Sequence, residues 1–306
     1  MTTAWLFPGQ GSQSSGMGRV LLLGDACEAR VFARAEAICG LPLRRLSLEG
    51  DAGQLRDCRV LEPLLAAFGI ADVERLRQGK ARPRCVAGYS AGELVALYAA
   101  EVLALDDVLA LAAQRGRVMQ AFATRCPGRM SVIVGLSGGQ VTELVGGAAG
   151  AYLAGWNGAD HMTVAGSEPA LRVIEGRARA AGAIVMPLEI AAAWHSPLAA
   201  SAADRMRELL ADVVFRPARV PVYGAVTGRA EVRPDALRHS LWSHVARPVL
   251  WEAALRNLIA EQGVRLLVAM GAGRGLAAMV RRHTNRFAPD VDIHVFSSPL
   301  KEHAHA

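Results

Sequence analysis

Lysine is nearly missing from this 306-residue chain: of 34 basic residues only Lys80 and Lys301 are lysines, and the rest are arginine. Aromatic residues are also scarce, at 5%, and no dense basic run is interleaved with them, so a nucleic-acid surface built on stacking platforms is not expected. No run of about 18 uncharged apolar residues occurs, which argues against a membrane-spanning helix. The richest segment, Leu94 to Ala113, is cut by Glu101, Asp106 and Asp107. The opening residues, Met1 to Pro8, have no basic start and no long apolar stretch, so no secretory leader is expected and the cytoplasm is the expected compartment. Cysteine is limited to Cys27, Cys39, Cys58, Cys85 and Cys126, an odd number without a Cys-x-x-Cys pair. Neither a disulfide framework nor a zinc cage fits, and no bound metal is expected.

What is present is a large apolar fraction, 52% against 20% charged, enough to bury a sizeable core. The net charge of +6 leans toward acidic or phosphate-bearing partners, because guanidinium grips carboxylate and phosphate with two prongs, although codon bias explains most of the arginine. Strands are expected at Ala4 to Phe7 and Arg84 to Gly88, with helices near Arg19 to Ile38, Glu62 to Arg77, Ala91 to Ala100 and Asp106 to Ala123. Such alternation argues for α/β architecture with a mostly parallel sheet. From Met130 to Leu188 the order becomes βαββαβ, a ferredoxin-like unit that reads as a small inserted domain over 126–189. Residues 1–125 and 190–306 then form the large domain, the second part continuing with helices from Pro197, near 236–245, at 251–262 and at Arg274 to Arg282, and strands at Val220 to Tyr223 and Val264 to Met270.

Gly88-Tyr89-Ser90-Ala91-Gly92 is a Gly-x-Ser-x-Gly pentapeptide lying where a strand ends and a helix begins. A glycine-flanked turn that merely caps a helix can look the same, but strand before and helix after favour a nucleophile. Such a turn lifts the hydroxyl above the sheet, and the amide after it faces a developing oxyanion. A serine nucleophile needs a base. His303 and His305 lie in a polar tail, and His239, His283 and His294 have no special turn around them. His195, in Trp194-His195-Ser196-Pro197, sits where the chain leaves the small domain, on the rim where ligands bind. No acid lies within five residues of it, so its orienting partner comes from elsewhere. Arg115 and Arg117 flank Gly116 on the helix after the nucleophile helix, and an arginine buried there would select a substrate carrying a carboxylate.

Taken together, these residues resemble the malonyl-CoA:acyl carrier protein transacylase family, which includes the acyltransferase domains of polyketide and fatty acid synthases. Further matching stretches are Phe7-Pro8-Gly9-Gln10-Gly11-Ser12-Gln13, Met119-Gln120 after Arg115-Gly116, Asn157 ahead of Val164-Ala165-Gly166, His195-Ser196-Pro197-Leu198, Pro221-Val222 to Thr227-Gly228, and Pro248-Val249-x-Trp251. The resemblance implies an α/β-hydrolase-like large domain with an inserted ferredoxin-like small domain. It also implies ping-pong acyl transfer with Ser90 as nucleophile and His195 as base. Main-chain amides of Gln10 and Ala91 would form the oxyanion hole, and Arg115 would hold the malonyl carboxylate, with Asn157, His161 and His244 as further substrate-binding positions. Malonyl-CoA would be the substrate and the phosphopantetheine-type thiol of an acyl carrier protein the acceptor, with no bound cofactor. The family orients its histidine with a main-chain carbonyl, which accounts for the missing acid.

The chain departs from the family at several places. Tyr89 replaces a histidine, Glu62 a glutamine ahead of Pro63, Asp160-His161 a Gly-Gln pair, His244 a glutamine, and Met270-Gly271-Ala272-Gly273 a Glu-Gly-Pro-Gly turn. Tyr89 and the run Asn157-Gly158-Ala159-Asp160-His161 resemble the transacylase (epsilon) subunit of malonate decarboxylase, which would make other decarboxylase subunits partners. A polyketide or fatty acid acyltransferase acting in trans, a carrier-protein thioesterase using the same Ser/His pair, and a non-catalytic assembly subunit are the alternatives. Retention of Arg115 disfavours the thioesterase, and intact Ser90, His195 and Arg115 disfavour the assembly subunit.

Overall fold

The computed structural model describes residues 1–23, 25–271 and 275–296. His303, His305 and the Ala272-Gly273 pair lie outside the described residues. The elements in chain order are β1 (Thr3–Phe7), α1 (Ala26–Cys39), α2 (Leu43–Glu49), α3 (Cys58–Gln78), β2 (Cys85–Gly88), α4 (Gly92–Ala99) and α5 (Leu105–Arg125). A second group comprises β3 (Arg129–Val134), α6 (Gly138–Gly146), β4 (Ala151–Gly158), β5 (His161–Gly166), α7 (Glu168–Ala180) and β6 (Ile184–Pro187). The remainder are α8 (Ala200–Leu209), β7 (Val222–Tyr223), β8 (Ala230–Glu231), α9 (Pro234–Ser243), α10 (Trp251–Gln262), β9 (Leu266–Ala269), α11 (Gly275–Thr284) and β10 (Asp292–Val295). The protein is a mixed α/β fold.

One sheet has six strands in the order β10-β9-β1-β2-β7-β8, parallel except where β8 pairs with β7. Its central strand is buried on both faces: Trp5 and Phe7 enter one apolar cluster, Ala4 and Leu6 another. That explains why β1 reads as an unbroken apolar run, as parallel strands covered by helices on both sides do. The other sheet, β4-β5-β3-β6, is antiparallel throughout and comes from the βαββαβ stretch. A third cluster, including Met119, Phe122, Met130, Trp194 and Met206, fills the space between the two, and Val249 links them by exchanging main-chain hydrogen bonds with Ala154 and Trp156.

Local chemistry sets the element ends. The expected helix from Arg19 to Ile38 is in fact a 3-10 stretch over Met17–Leu23 followed by α1, because Asp25 accepts from the Cys27 and Glu28 amides and starts a new helix. Asp57 does the same for α3 through the Arg59 amide, placing Pro63 inside the helix rather than at its start. Helix α2 and the edge strands β8 and β10 are additional elements; both strands are short, and alternation is hard to read in so few residues. Among the described residues, no helix is long and apolar enough to cross a membrane.

Candidate active site

Ser90 has φ of 53°, a left-handed conformation that costs a side-chain-bearing residue energy and persists only where neighbours enforce it. They do so here. A Cβ on Gly92 would come within 2.3 Å of the Phe7 carbonyl oxygen, and one on Gly88 within 2.3 Å of the Glu93 nitrogen, so the turn between β2 and α4 closes only with glycine on both sides. Gly9 packs as tightly, since a Cβ there would lie 2.4 Å from the Tyr89 oxygen and 3.4 Å from the Ala91 nitrogen. This lays the Pro8-Gly9-Gln10 loop against the serine turn. Among the described residues, no protein acceptor engages the main-chain N–H groups of Gln10 and Ala91.

His195 faces the serine, with its Nε2 2.9 Å from Ser90 Oγ. Its Nδ1 lies 2.6 Å from the main-chain oxygen of His244, and its own amide donates to Val245 O at 2.8 Å. A carbonyl can only accept, so Nδ1 carries the proton and Nε2 presents a lone pair to the hydroxyl. Burial, with His244 and Arg115 close by, pushes His195 down to about 3, so the ring is neutral at pH 7. His195 also has positive φ, 59°. The partner of His195 is therefore a main-chain carbonyl 49 residues away, at His244, the position where the resembling family has the glutamine whose carbonyl holds its base.

Arg115 is almost fully buried, and its position follows from packing of α5 on α3. A Cβ on Gly116 would sit 2.3 Å from the Cys58 oxygen, so glycine lets the helices approach closely. The approach sets Arg115 Nη1 on the Glu62 carboxylate, an ion pair with both side chains about 1% exposed. Arg115 Nη2 lies 3.4 Å from His244 Nε2, and His244 Nδ1 lies 2.8 Å from Glu93 Oε2. Since guanidinium only donates, His244 Nε2 accepts and Nδ1 donates to Glu93, which gives the neutral tautomer. Gln10 Nε2 donates to Glu62 Oε1 at 3.0 Å. Cys58, beside them, is pushed up to about 12 by burial and stays a thiol.

Of the remaining candidates, Asn157 is buried and holds the residue before Ser90: its Oδ1 accepts from the Tyr89 hydroxyl at 2.9 Å, and its Nδ2 donates to Thr163 Oγ1. Tyr89 stacks edge-on against Trp251, with ring centroids 5.4 Å apart. His161 instead pairs with His283 at 3.0 Å and shares no hydrogen bond with Ser90, His195 or Arg115. The sequence reading did not single out Glu93 and noted Glu62 only as a departure. The available signal was an acid set among apolar helix residues, Glu62 in Val-Leu-Glu-Pro-Leu-Leu and Glu93 ahead of Leu-Val-Ala-Leu.

A family model described as an acyl transferase domain matches residues 4–291. Malonyl CoA-acyl carrier protein transacylase of Escherichia coli K12 is 31% identical over 252 residues, covering 80% of this chain and 81% of that protein. Polyketide synthase GfsB of Streptomyces halstedii is 34% identical over 289 residues, which is 91% of this chain but only 5% of the synthase's length. Among solved structures, malonyl-CoA:acyl carrier protein transacylase of Xanthomonas oryzae matches with a TM-score of 0.90 at 29% identity, over 98% of this chain and 96% of that one. A complex of a type II polyketide acyl carrier protein with its malonyl-transacylase contains a chain that matches equally well, with a TM-score of 0.90 at 28% identity and coverage of 98% and 97%.

Proposed function

The chain belongs to the acyl transferase family, and from that premise we propose a ping-pong malonyl transfer from malonyl-CoA to the phosphopantetheine-type thiol of an acyl carrier protein. The observation that carries the reading is the Ser90–His195 pair at 2.9 Å, with the base held in the proton-accepting tautomer by the His244 carbonyl. Ser90 Oγ attacks the thioester carbonyl as its proton passes to His195 Nε2. The amides of Gln10 and Ala91 hold the oxyanion, and the imidazolium is steadied through its Nδ1–H by the main-chain oxygen. Collapse of the tetrahedral intermediate breaks the C–S bond, and the CoA sulfur leaves with the proton from Nε2. The carrier thiol then gives its proton to His195 Nε2 and attacks the malonyl-serine carbonyl; collapse breaks the ester C–O bond, Nε2 returns the proton to Ser90 Oγ, and the malonyl group leaves as the carrier thioester.

In this reading Arg115 faces the malonyl carboxylate, while Asn157 acts through Tyr89 and His161 contributes from outside the immediate site. We divide the chain into 1–125 with 190–306, read as α/β-hydrolase-like, and 126–189, read as ferredoxin-like. The narrower assignment to the transacylase subunit of malonate decarboxylase rests on Tyr89 and the Asn157–His161 run, and it would bring other decarboxylase subunits as partners. Intact-protein mass after mixing with malonyl-CoA tests the core of the proposal. We expect a malonyl adduct in the wild type and none in Ser90→Ala, and an adduct retained by the variant would move the nucleophile elsewhere. Free malonate released without an acceptor would instead favour a hydrolase.

A further inference from the structure

The wall of the site beyond the Ser90–His195 pair carries a charge arrangement that the transfer chemistry does not use. Arg115 directs Nη1 to Glu62 and Nη2 to His244, and its Nε has no hydrogen-bond partner among the described residues. The buried groups around it are two carboxylates, Glu62 and Glu93, one guanidinium, and two neutral imidazoles, His244 and His195. Each carboxylate on the wall already has a partner, Glu62 in Arg115 and Glu93 in His244. A guanidinium paired with an internal carboxylate has less field and fewer free donors for a second carboxylate. A dicarboxylic acyl group arriving at Arg115 also brings its charge up against Glu62, a like-charge contact in a shielded place, where such contacts weigh most. An uncharged acyl group meets no such opposition. Glutamine, which the resembling family has at this place, would keep the shape and drop the charge.

We propose that Glu62 is a positioning residue that sets acyl selectivity through Arg115: by occupying and neutralising the guanidinium it lowers the preference for carboxylate-bearing over uncharged short acyl groups. The proposal rests on the reading of Arg115 as the acyl-pocket cation. The full-length chain, its Glu62→Gln variant and its Glu62→Asp variant would be compared in single-turnover acylation with malonyl-CoA and acetyl-CoA. Freeing a charge-assisted donor should raise the malonyl-to-acetyl ratio of kcat/KM by about 10-fold or more in Glu62→Gln, mainly through a lower KM for malonyl-CoA. Glu62→Asp, which keeps the charge, should hold the ratio within roughly threefold of the wild type. A ratio in Glu62→Gln that is unchanged or lower overturns the proposal, because Glu62 would then only hold Arg115 in place. The wild type alone gives a second test should Glu62→Gln not fold: a malonyl preference within about 100-fold of acetyl supports a neutralised Arg115, and a larger one overturns it. If neither donor labels Ser90 in the wild type, the transfer reading and this inference fall together, whereas labelling by both donors with no shift in ratio sinks Glu62 alone.

Discussion

The two halves of the site are built from different parts of the chain. Around Ser90 the main chain does most of the holding: a left-handed serine between two glycines, amides at Gln10 and Ala91 with no acceptor among the described residues, and a carbonyl from His244 on the His195 ring. The serine hydroxyl and the His195 ring face each other there, and Asn157 steadies the turn from behind through Tyr89. Around Arg115 the reverse holds, with Glu62, Glu93 and the His244 ring making a buried network of side chains. Gln10 belongs to both, its amide facing the serine turn and its side chain bonding Glu62. A main-chain hydrogen bond survives substitution of the residue that supplies it, whereas a side-chain charge does not. The departures from the family pattern at Glu62 and His244 accordingly fall on side chains around Arg115, the half proposed to face the acyl group, and leave the main-chain geometry around Ser90, the proposed reacting half, in place.

The largest expected effect comes from the reacting half. His195→Ala removes the positioned base and should slow acylation of Ser90 by about 10²–10⁴-fold, read by rapid-quench mass analysis. The same half makes a pH prediction. In the proposed transfer the neutral form of His195 is the base, and burial pushes its titration down to about 3, so the ring stays neutral as pH falls from 8 to 5. Acylation should hold through the range where an ordinary histidine, at about 6.5, takes up its proton. A loss of rate with a midpoint near that value would mean that the ring is hydrated as a surface histidine is, and the contrast between the two halves would lose its base.

The acyl-facing half is better probed through stability. Arg115→Ala leaves Glu62 charged, buried and without its partner, a change worth about 3–5 kcal/mol in urea unfolding. Arg172 also pairs with an acid, Glu168 at 2.7 Å, but in full view of solvent, and Arg172→Ala should cost no more than about 0.5 kcal/mol. Removing both members of the buried pair together, as Arg115→Met with Glu62→Leu, should recover a good part of the loss, because no lone charge is left inside. If the single and double variants unfold alike, the pair carries little energy and the acyl-facing half is held by packing instead.

How much of this was legible in the sequence follows from the same division. The serine turn could be read because its constraint is local: two glycines around a serine, a strand before and a helix after, all between Cys85 and Ala99. The βαββαβ stretch was legible too, since three of its four strands, β3, β4 and β5, run six to eight residues and its helices start at recognisable caps such as Ser137 and Ser167. His195 stood out by its place at the return from that stretch, while its partner, a carbonyl 49 residues away, leaves no mark on residue type and came only from the family resemblance, through the place that His244 takes. The pairs Glu62 with Arg115 and Glu93 with His244 span 53 and 151 residues, and only helix packing brings them together. His161 carried a chemistry-bearing side chain in a family position, but the fold turns it toward His283 on α11.

The smallest expected effect on rate falls on a residue that, like Gln10, serves both halves. His244 holds the base with its main-chain oxygen at 2.6 Å, while its ring bridges Glu93 and Arg115. His244→Gln keeps the carbonyl, and its side-chain amide can donate to Glu93 while its oxygen accepts from Arg115, so both halves keep their bonds. Acylation by malonyl-CoA should therefore fall by less than about 10-fold, set against the much larger loss for His195→Ala. His244→Leu keeps the same carbonyl but leaves Glu93 buried without its donor, so it should lose stability in urea unfolding, by about 1–3 kcal/mol, more than it loses rate. If His244→Gln instead slows acylation as severely as loss of His195 itself, the ring of His244 takes part in the proton transfer, and the main-chain carbonyl is not sufficient to orient the base.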